Sequence, residues 1–194
     1  MFYYTGIPII TYVTAAACVF NYIRMTQLMK QYSPNDSAVQ CGAVFGPYIV
    51  ENGQYWRLIT GGFVHFSIFH LLMNVYVLVS LGGTMEAAFG HILFFILLYG
   101  SVLMGNAFSV YMHSDYSISG GMSSGMYGLI AAQLAMILIL YGPQAILSSG
   151  SLLTVILLNL LMNFLPGVAW KSHLGGACVG VLFITLLYRF AFHL

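Results

Sequence analysis

Charge is what this chain lacks. Its 194 residues include five Lys or Arg and four Asp or Glu, so 5% of the side chains are charged while 60% are apolar. Soluble domains carry about 25% charged residues, and nine charges cannot keep a globule of this size in water. The scarcity excludes a soluble enzyme, and a formal net charge of +1 leaves no basic surface for nucleic acid. Cysteine is nearly as rare. Cys18 and Cys178 lie in apolar runs and Cys41 outside them, which makes neither a disulfide framework nor a zinc spacing. The first apolar run has no positive residue ahead of it and exceeds the length of a signal-peptide core, so it reads as a retained span. No internal repeat and no low-complexity tract is evident.

Long apolar runs are what the chain does have. A helix needs about 20 apolar residues to cross the hydrocarbon core of a bilayer. Six segments qualify, at 7–27, 63–83, 91–112, 123–141, 147–165 and 173–192. The expected fold is all-α, a bundle of six transmembrane helices forming one membrane domain over residues 1–194 of an integral, multi-pass protein. The one long connection, residues 28–62, mixes Lys30, Asp36, Glu51 and Arg57 with Tyr48, Tyr55 and Trp56. That composition belongs at a membrane–water interface. Short connections are expected at Gly82-Gly83, between His113 and Gly121, at Gly142-Pro143 and at Pro166-Gly167. Arg24, Lys30, Arg57 and Lys171 fall on the face opposite the termini, and the positive-inside count would put the long connection in the cytoplasm.

Topology gathers the polar residues. The second, fourth and sixth spans enter from one face, and they open with His65 and His70, with Ser123, and with His173. Ser124, Gly128 and Ala132 form a small-residue stripe, and Gly176 and Gly180 form another below His173. Packed together, such stripes bring two backbones close enough for a serine hydroxyl to reach an imidazole. Tyr127 lies one helical turn below Ser123, and Asn74 one turn below His70 on the same face. Ionisable groups in hydrocarbon are costly, which makes His70 a functional candidate.

Each residue alone has a plainer reading. Ser123 could be a packing or capping serine, His173 an interfacial histidine beside Trp170 and Lys171, and His70 and Asn74 interhelical glue. Interhelical hydrogen bonding is the expected role of Asn106, Gln133, Asn159 and Asn163. His65 and His70 are five apart with no acid between them, so H-E-x-x-H zinc chemistry is not expected. Gly121-Met122-Ser123-Ser124-Gly125 fits G-x-S-x-G. That elbow needs a preceding strand and a parallel sheet, neither of which is expected here, so the match reads as coincidence.

Taken together, the motifs resemble those of the rhomboid intramembrane serine proteases. His65-Phe66-Ser67-Ile68-Phe69-His70-Leu71-Leu72-Met73-Asn74 is similar to the family's H-x4-H-x3-N signature, and Trp56-Arg57 to its W-R pair. Gly82-Gly83-Thr84-Met85-Glu86 resembles the G-G-x-x-E turn. Gly121-x-Ser123 with Tyr127-Gly128-Leu129 resembles the serine motif, and His173-x-x-Gly176-x-x-x-Gly180 the histidine motif. The likeness runs in order from Trp56 to the C-terminus. Ser124 departs from the glycine usual after the nucleophile, and Ser172 is the small residue before the histidine. The four-residue spacing to Tyr127 and Gly121 two residues before select Ser123 over Ser124. With no large soluble domain before the first span, the chain resembles the minimal six-helix bacterial core, expected in an inner or plasma membrane.

The resemblance implies an intramembrane serine endopeptidase. Ser123 would attack a peptide carbonyl and His173 would shuttle its proton, as a dyad, since no Asp or Glu falls near His173 to complete a triad. Tyr127 would pack on the imidazole and orient it. His70 and Asn74, with the Ser123 backbone N–H, would stabilise the oxyanion, with His65 peripheral. The implied partners are the membrane spans of other proteins within a lipid bilayer, with substrate entry by the fifth span and first loop, and with no cofactor, metal or nucleic acid. The resemblance also places the site on the extracytoplasmic side, against the charge count. Two other classes compete. An inactive rhomboid-like protein that binds membrane clients is disfavoured by the retained Ser123 and His173. A small transporter would predict an internal repeat and paired intramembrane charges.

Overall fold

The computed structural model describes residues 6–112, 117–148, 150–164 and 168–192. Helix α1 (Ile9–Leu28) begins without a side-chain cap of its own. The carboxylate of Glu86, 76 residues away, does that work. It accepts from Ile10 N at 2.9 Å, Thr11 N at 2.8 Å and Thr11 Oγ1 at 2.7 Å, and His91 Nδ1 donates to it as well. A negative charge at a helix N-terminus meets both the orphan N–H groups and the helix dipole.

The expected interfacial connection is a folded cap. It contains α2 (Pro34–Gln40), β1 (Val44–Phe45), α3 (Gly46–Val50), α4 (Arg57–Thr60) and a 3-10 turn over Gly61–Phe63. Ser33 caps α2 by accepting from Asp36 N at 3.1 Å, with Pro34 in the first turn where its missing N–H costs nothing. Arg57 is the cap's hub. Its buried guanidinium donates to Val39 O at 2.8 Å, Ala43 O at 3.1 Å and Gln54 Oε1 at 2.7 Å, and lies 4.4 Å from the Trp56 ring centroid. The W-R pair thus ties the cap together, and the Arg57 charge is buried in hydrogen bonds.

Beyond the cap, α5 (Ile68–Val77) runs through a π-helical stretch, Leu78–Gly82, into α6 (Gly83–Met112). The expected connection at Gly82-Gly83 is therefore helical. The chain breaks instead at Gly90, whose φ of 75° and ψ of 167° lie outside helical space and suit glycine alone. Strand β2 (Ile118–Ser119) pairs antiparallel with β1, placing Ser119 opposite Val44, and this two-residue ladder departs from an all-helical fold. Helices α7 (Ser123–Tyr141), α8 (Gln144–Leu147), α9 (Gly150–Met162) and α10 (Trp170–Phe192) follow. Among the described residues, four helical stretches are long and apolar enough to cross a bilayer, namely Ile9–Leu28, Ile68–Met112, Ser123–Tyr141 and Trp170–Phe190. The span expected at 147–165 is shorter than read: α9 has 13 residues, about 20 Å at 1.5 Å per residue, against a hydrocarbon core of about 30 Å. The connection expected at Pro166-Gly167 lies outside the described residues, as does the part of the His113–Gly121 run from His113 to Tyr116.

Helices α6, α7 and α10 form the centre, around buried Phe94, Leu97, Leu98, Val102, Met126 and Leu129. The two small-residue stripes meet there. A Cβ on Gly176 would overlap the Ser124 carbonyl, and one on Gly180 would overlap that of Gly128. Helices α7 and α10 are thus packed backbone to backbone. Helix α6 joins the same seam at Gly105, where a Cβ would come 2.7 Å from that of Ser124.

Candidate active site

The serine stands where a strand turns into a helix. From β2 the chain passes Gly120 and Gly121, turns at Met122 and starts α7 at Ser123. Gly121 has a φ of +126°, and a Cβ there would lie 2.8 Å from His70 Nε2. Both the backbone angle and the neighbouring imidazole require glycine. A strand does precede the serine, then, contrary to the expectation from sequence. It is two residues long and antiparallel, so only the local strand–turn–helix geometry of the G-x-S-x-G elbow is present.

Ser123 is half-buried, and its N–H belongs to the first helical turn, where donors lack intrahelical partners. Ser124 is different: it is 1% exposed, wedged between Gly105 and Gly176, and its hydroxyl has no partner. His173 enters from the first turn of α10 and is buried. Its Nε2 lies 2.8 Å from Ser123 Oγ, within the range in which a base takes a proton. The Tyr127 ring stacks on the imidazole, with centroids 4.1 Å apart and planes 7° from parallel.

Asn163, expected to hydrogen-bond between helices, does so, and the partner that the sequence did not suggest is the histidine. His173 Nδ1 lies 2.6 Å from Asn163 Oδ1, and Asn163 Nδ2 donates to the Tyr127 hydroxyl at 2.9 Å. Asn163 follows the last turn of α9 and is half-buried. The sequence suggests only carboxylates as partners for His173, although a carboxamide oxygen also accepts an imidazole N–H, more weakly for want of a charge. Asn106 does bond between elements, donating to Leu58 O at 2.8 Å and accepting from Ser172 Oγ at 3.2 Å. Gln133 is half-buried, and the Asn159 side chain lies outside the described residues.

The histidines of the second motif flank this group. Ser67 caps α5 by accepting from His70 N at 3.1 Å, which sets His70 in the first turn, its ring against Gly121. Asn74 is buried and directs one N–H back to the His70 carbonyl at 2.9 Å, while its Oδ1 has no partner. His65 is fully buried. Its Nδ1 lies 3.3 Å from Phe63 O, its ring meets that of His70 edge to face at 5.0 Å, and its Nε2 is unpartnered. Among the described residues, no three His, Cys, Asp or Glu side chains converge as a metal site would require. Burial pushes the Cys41 thiol up, and the nearby Arg24 charge only partly opposes this, which disfavours that thiol as a nucleophile.

The arrangement sets a half-buried serine hydroxyl against an imidazole nitrogen, with Asn163 and Tyr127 on that imidazole and His70 against Gly121 two residues before the serine. These are the parts that acyl transfer needs.

Known proteins resemble this chain in sequence. The Rhomboid domain family model matches residues 52–190, well over half of the chain. Rhomboid-like protease 3 of Toxoplasma gondii is 27% identical over 181 residues, covering 90% of this chain and 67% of that protein. Rhomboid-like protease 1 of the same organism is 31% identical over 158 residues, 78% of this chain and 53% of the relative. A protein of Arabidopsis thaliana named Inactive RHOMBOID-like protein 8 is 31% identical over 132 residues, 66% and 37% of the two chains. The match spans between about a third and two thirds of the length of such relatives. They are plant and apicomplexan proteins and lend no support to the bacterial source expected from the chain's compactness. The matched segment holds the serine, both histidine motifs and the W-R pair, and the chain belongs to the rhomboid family of integral membrane proteins.

Proposed function

We propose that this protein is an intramembrane serine endopeptidase acting on the membrane-spanning segments of other proteins through Ser123 and His173. The observation that carries the reading is the 2.8 Å contact between His173 Nε2 and the hydroxyl of a half-buried, reachable serine. Family membership does not decide between an enzyme and an inactive protein, because the relatives include some named proteases and one named inactive. A poised nucleophile and base favour the enzyme.

In this mechanism Ser123 Oγ attacks the scissile carbonyl as its proton passes to His173 Nε2. The negative oxygen of the tetrahedral intermediate is met by the Ser123 N–H and by His70, with Asn74 contributing its remaining N–H. Collapse expels the amine, which takes the proton from His173. Water, activated by the same nitrogen, then releases the acyl group. Tyr127 holds the imidazole plane by stacking on it. The chain would pass the bilayer six times. The 45-residue stretch Ile68–Met112 is twice the needed length and breaks at Gly90, which supports two crossings there. The sixth is α9, a short one.

Cleavage of a lipid-reconstituted model span tests the proposal. Wild type and Ser124→Ala should cleave, while Ser123→Ala and His173→Ala should lose at least about 10³-fold in rate. Loss confined to Ser124→Ala would transfer the nucleophile to that residue. A panel of spans untouched by the wild type would favour client binding.

A further inference from the structure

The hydrogen-bond chain that starts at Ser123 continues past the histidine. It runs from Ser123 Oγ to His173 Nε2, across the ring from Nδ1 to Asn163 Oδ1, and from Asn163 Nδ2 to the Tyr127 hydroxyl. Tyr127 then closes the circuit by stacking on the imidazole. Three elements contribute, namely α7, the residue after α9, and α10.

A carboxamide has a donor end and an acceptor end, so committing one fixes the other. With Nδ2 donating to Tyr127, Oδ1 faces the imidazole. Only a protonated Nδ1 satisfies an acceptor 2.6 Å away. A neutral imidazole carries one N–H, so Nε2 is left with a lone pair aimed at Ser123. The other tautomer would set two lone pairs against each other at Nδ1. It would also leave the serine with no base. The same oxygen then faces the positive ring formed once Nε2 takes the serine proton.

We propose that Asn163 is a positioning residue of this active site, holding His173 in the tautomer that leaves Nε2 free to accept the Ser123 proton, with the Tyr127 hydroxyl accepting from the other end of the carboxamide. The role is the one a carboxylate performs in a Ser-His-Asp group. Its catalytic consequence rests on the serine-protease reading, whereas the tautomer does not depend on it. Because Asn163 directly follows α9, the placement of that short helix also sets the histidine.

Three measurements test this. The first is cleavage of a reconstituted span by Asn163→Leu, which keeps the volume but removes the acceptor, and by Asn163→Asp, which restores an acceptor. The leucine variant should lose about 10²-fold in kcat with little change in KM, a cost typical of a misplaced catalytic group, and the aspartate variant should recover most of it. The second is labelling of Ser123 by a small fluorophosphonate, which needs an activated serine but no helical substrate. Asn163→Leu should slow labelling by a similar factor. Slow cleavage with labelling at the wild-type rate would overturn the proposal and make Asn163 a substrate-side or packing residue. The third is nitrogen NMR of protein carrying labelled histidine, with the His173 signal assigned among six by its loss in His173→Ala. A proton on Nδ1 in the wild type is expected, and a proton on Nε2 would overturn the proposal whether or not any variant folds. A wild type that neither cleaves nor labels, yet shows the Nδ1 proton, would remove the protease reading and leave the assigned role of Asn163 as a tautomer lock standing.

Discussion

Two polar clusters sit at opposite ends of the bundle, and they are built on opposite principles. At the end holding the N-terminus of α1, Glu86 is fully buried and accepts from Ile10, Thr11 and His91. At the other end, 86 − 70 = 16 residues back along α5 and α6, or about 24 Å of helix, stands His70. Around it His65 Nε2 and Asn74 Oδ1 are buried without hydrogen-bond partners, and Ser123 is reachable. A buried charge with every bond made fixes a fold, since losing any partner exposes the full desolvation penalty. Polar groups with capacity to spare stabilise nothing in the resting protein. They hold donors and acceptors in place for atoms that arrive later.

The contrast can be broken from either side. The largest effect on rate outside Ser123 and His173 is expected at the oxyanion end. His70→Ala should lower cleavage by about 10²–10³-fold, equivalent to roughly 3–4 kcal/mol of transition-state stabilisation. Asn74→Ala should act in the same direction, and both should leave thermal unfolding close to wild type. At the other end, Glu86→Ala strands the N–H groups of Ile10 and Thr11 and should cost about 3 kcal/mol of stability, read as a lowered unfolding midpoint in mild detergent. Its cleavage rate per folded molecule should be preserved. A Glu86 variant that unfolds like wild type but no longer cleaves would erase the distinction between the ends. The smallest effect belongs to Ser124→Ala. Removing a hydroxyl that has no partner should shift stability by less than about 1 kcal/mol, measured by the same unfolding assay.

Much of this was legible in the residues. Scarce charge and long apolar runs announce a membrane protein, and the four-residue spacing of Ser124, Gly128 and Ala132 against Gly176 and Gly180 foretells the seam of α7 and α10. What was hidden depends on partners distant in sequence. Gly82-Gly83 reads as a turn, yet helix continues through it, because Gly82 sits among Thr11, Leu78 and Phe94 while Gly90 takes the break. Hydropathy counts apolar residues in 147–165 without seeing that the helix covers only Gly150–Met162. Arg57 looks interfacial until the carbonyls of Val39 and Ala43 fold around it. Asn163 reads as a bond between helices, which it makes, but its partner was hidden. It lies ten residues before His173, at the end of a different helix, and helical spacing gives no hint of the contact.

The glycine seam has a consequence for how such proteins lose activity. The distance between Ser123 and His173 is set by two main chains in contact, not by the reach of two side chains. One methyl group at Gly176 or Gly180 has no room beside the α7 carbonyls, so it must push the helices apart and lengthen the 2.8 Å contact. The serine and the histidine would both remain in the sequence of such a variant. A relative can therefore fall silent while keeping every residue that does chemistry, and the place to look for its silence is a position that has no side chain at all.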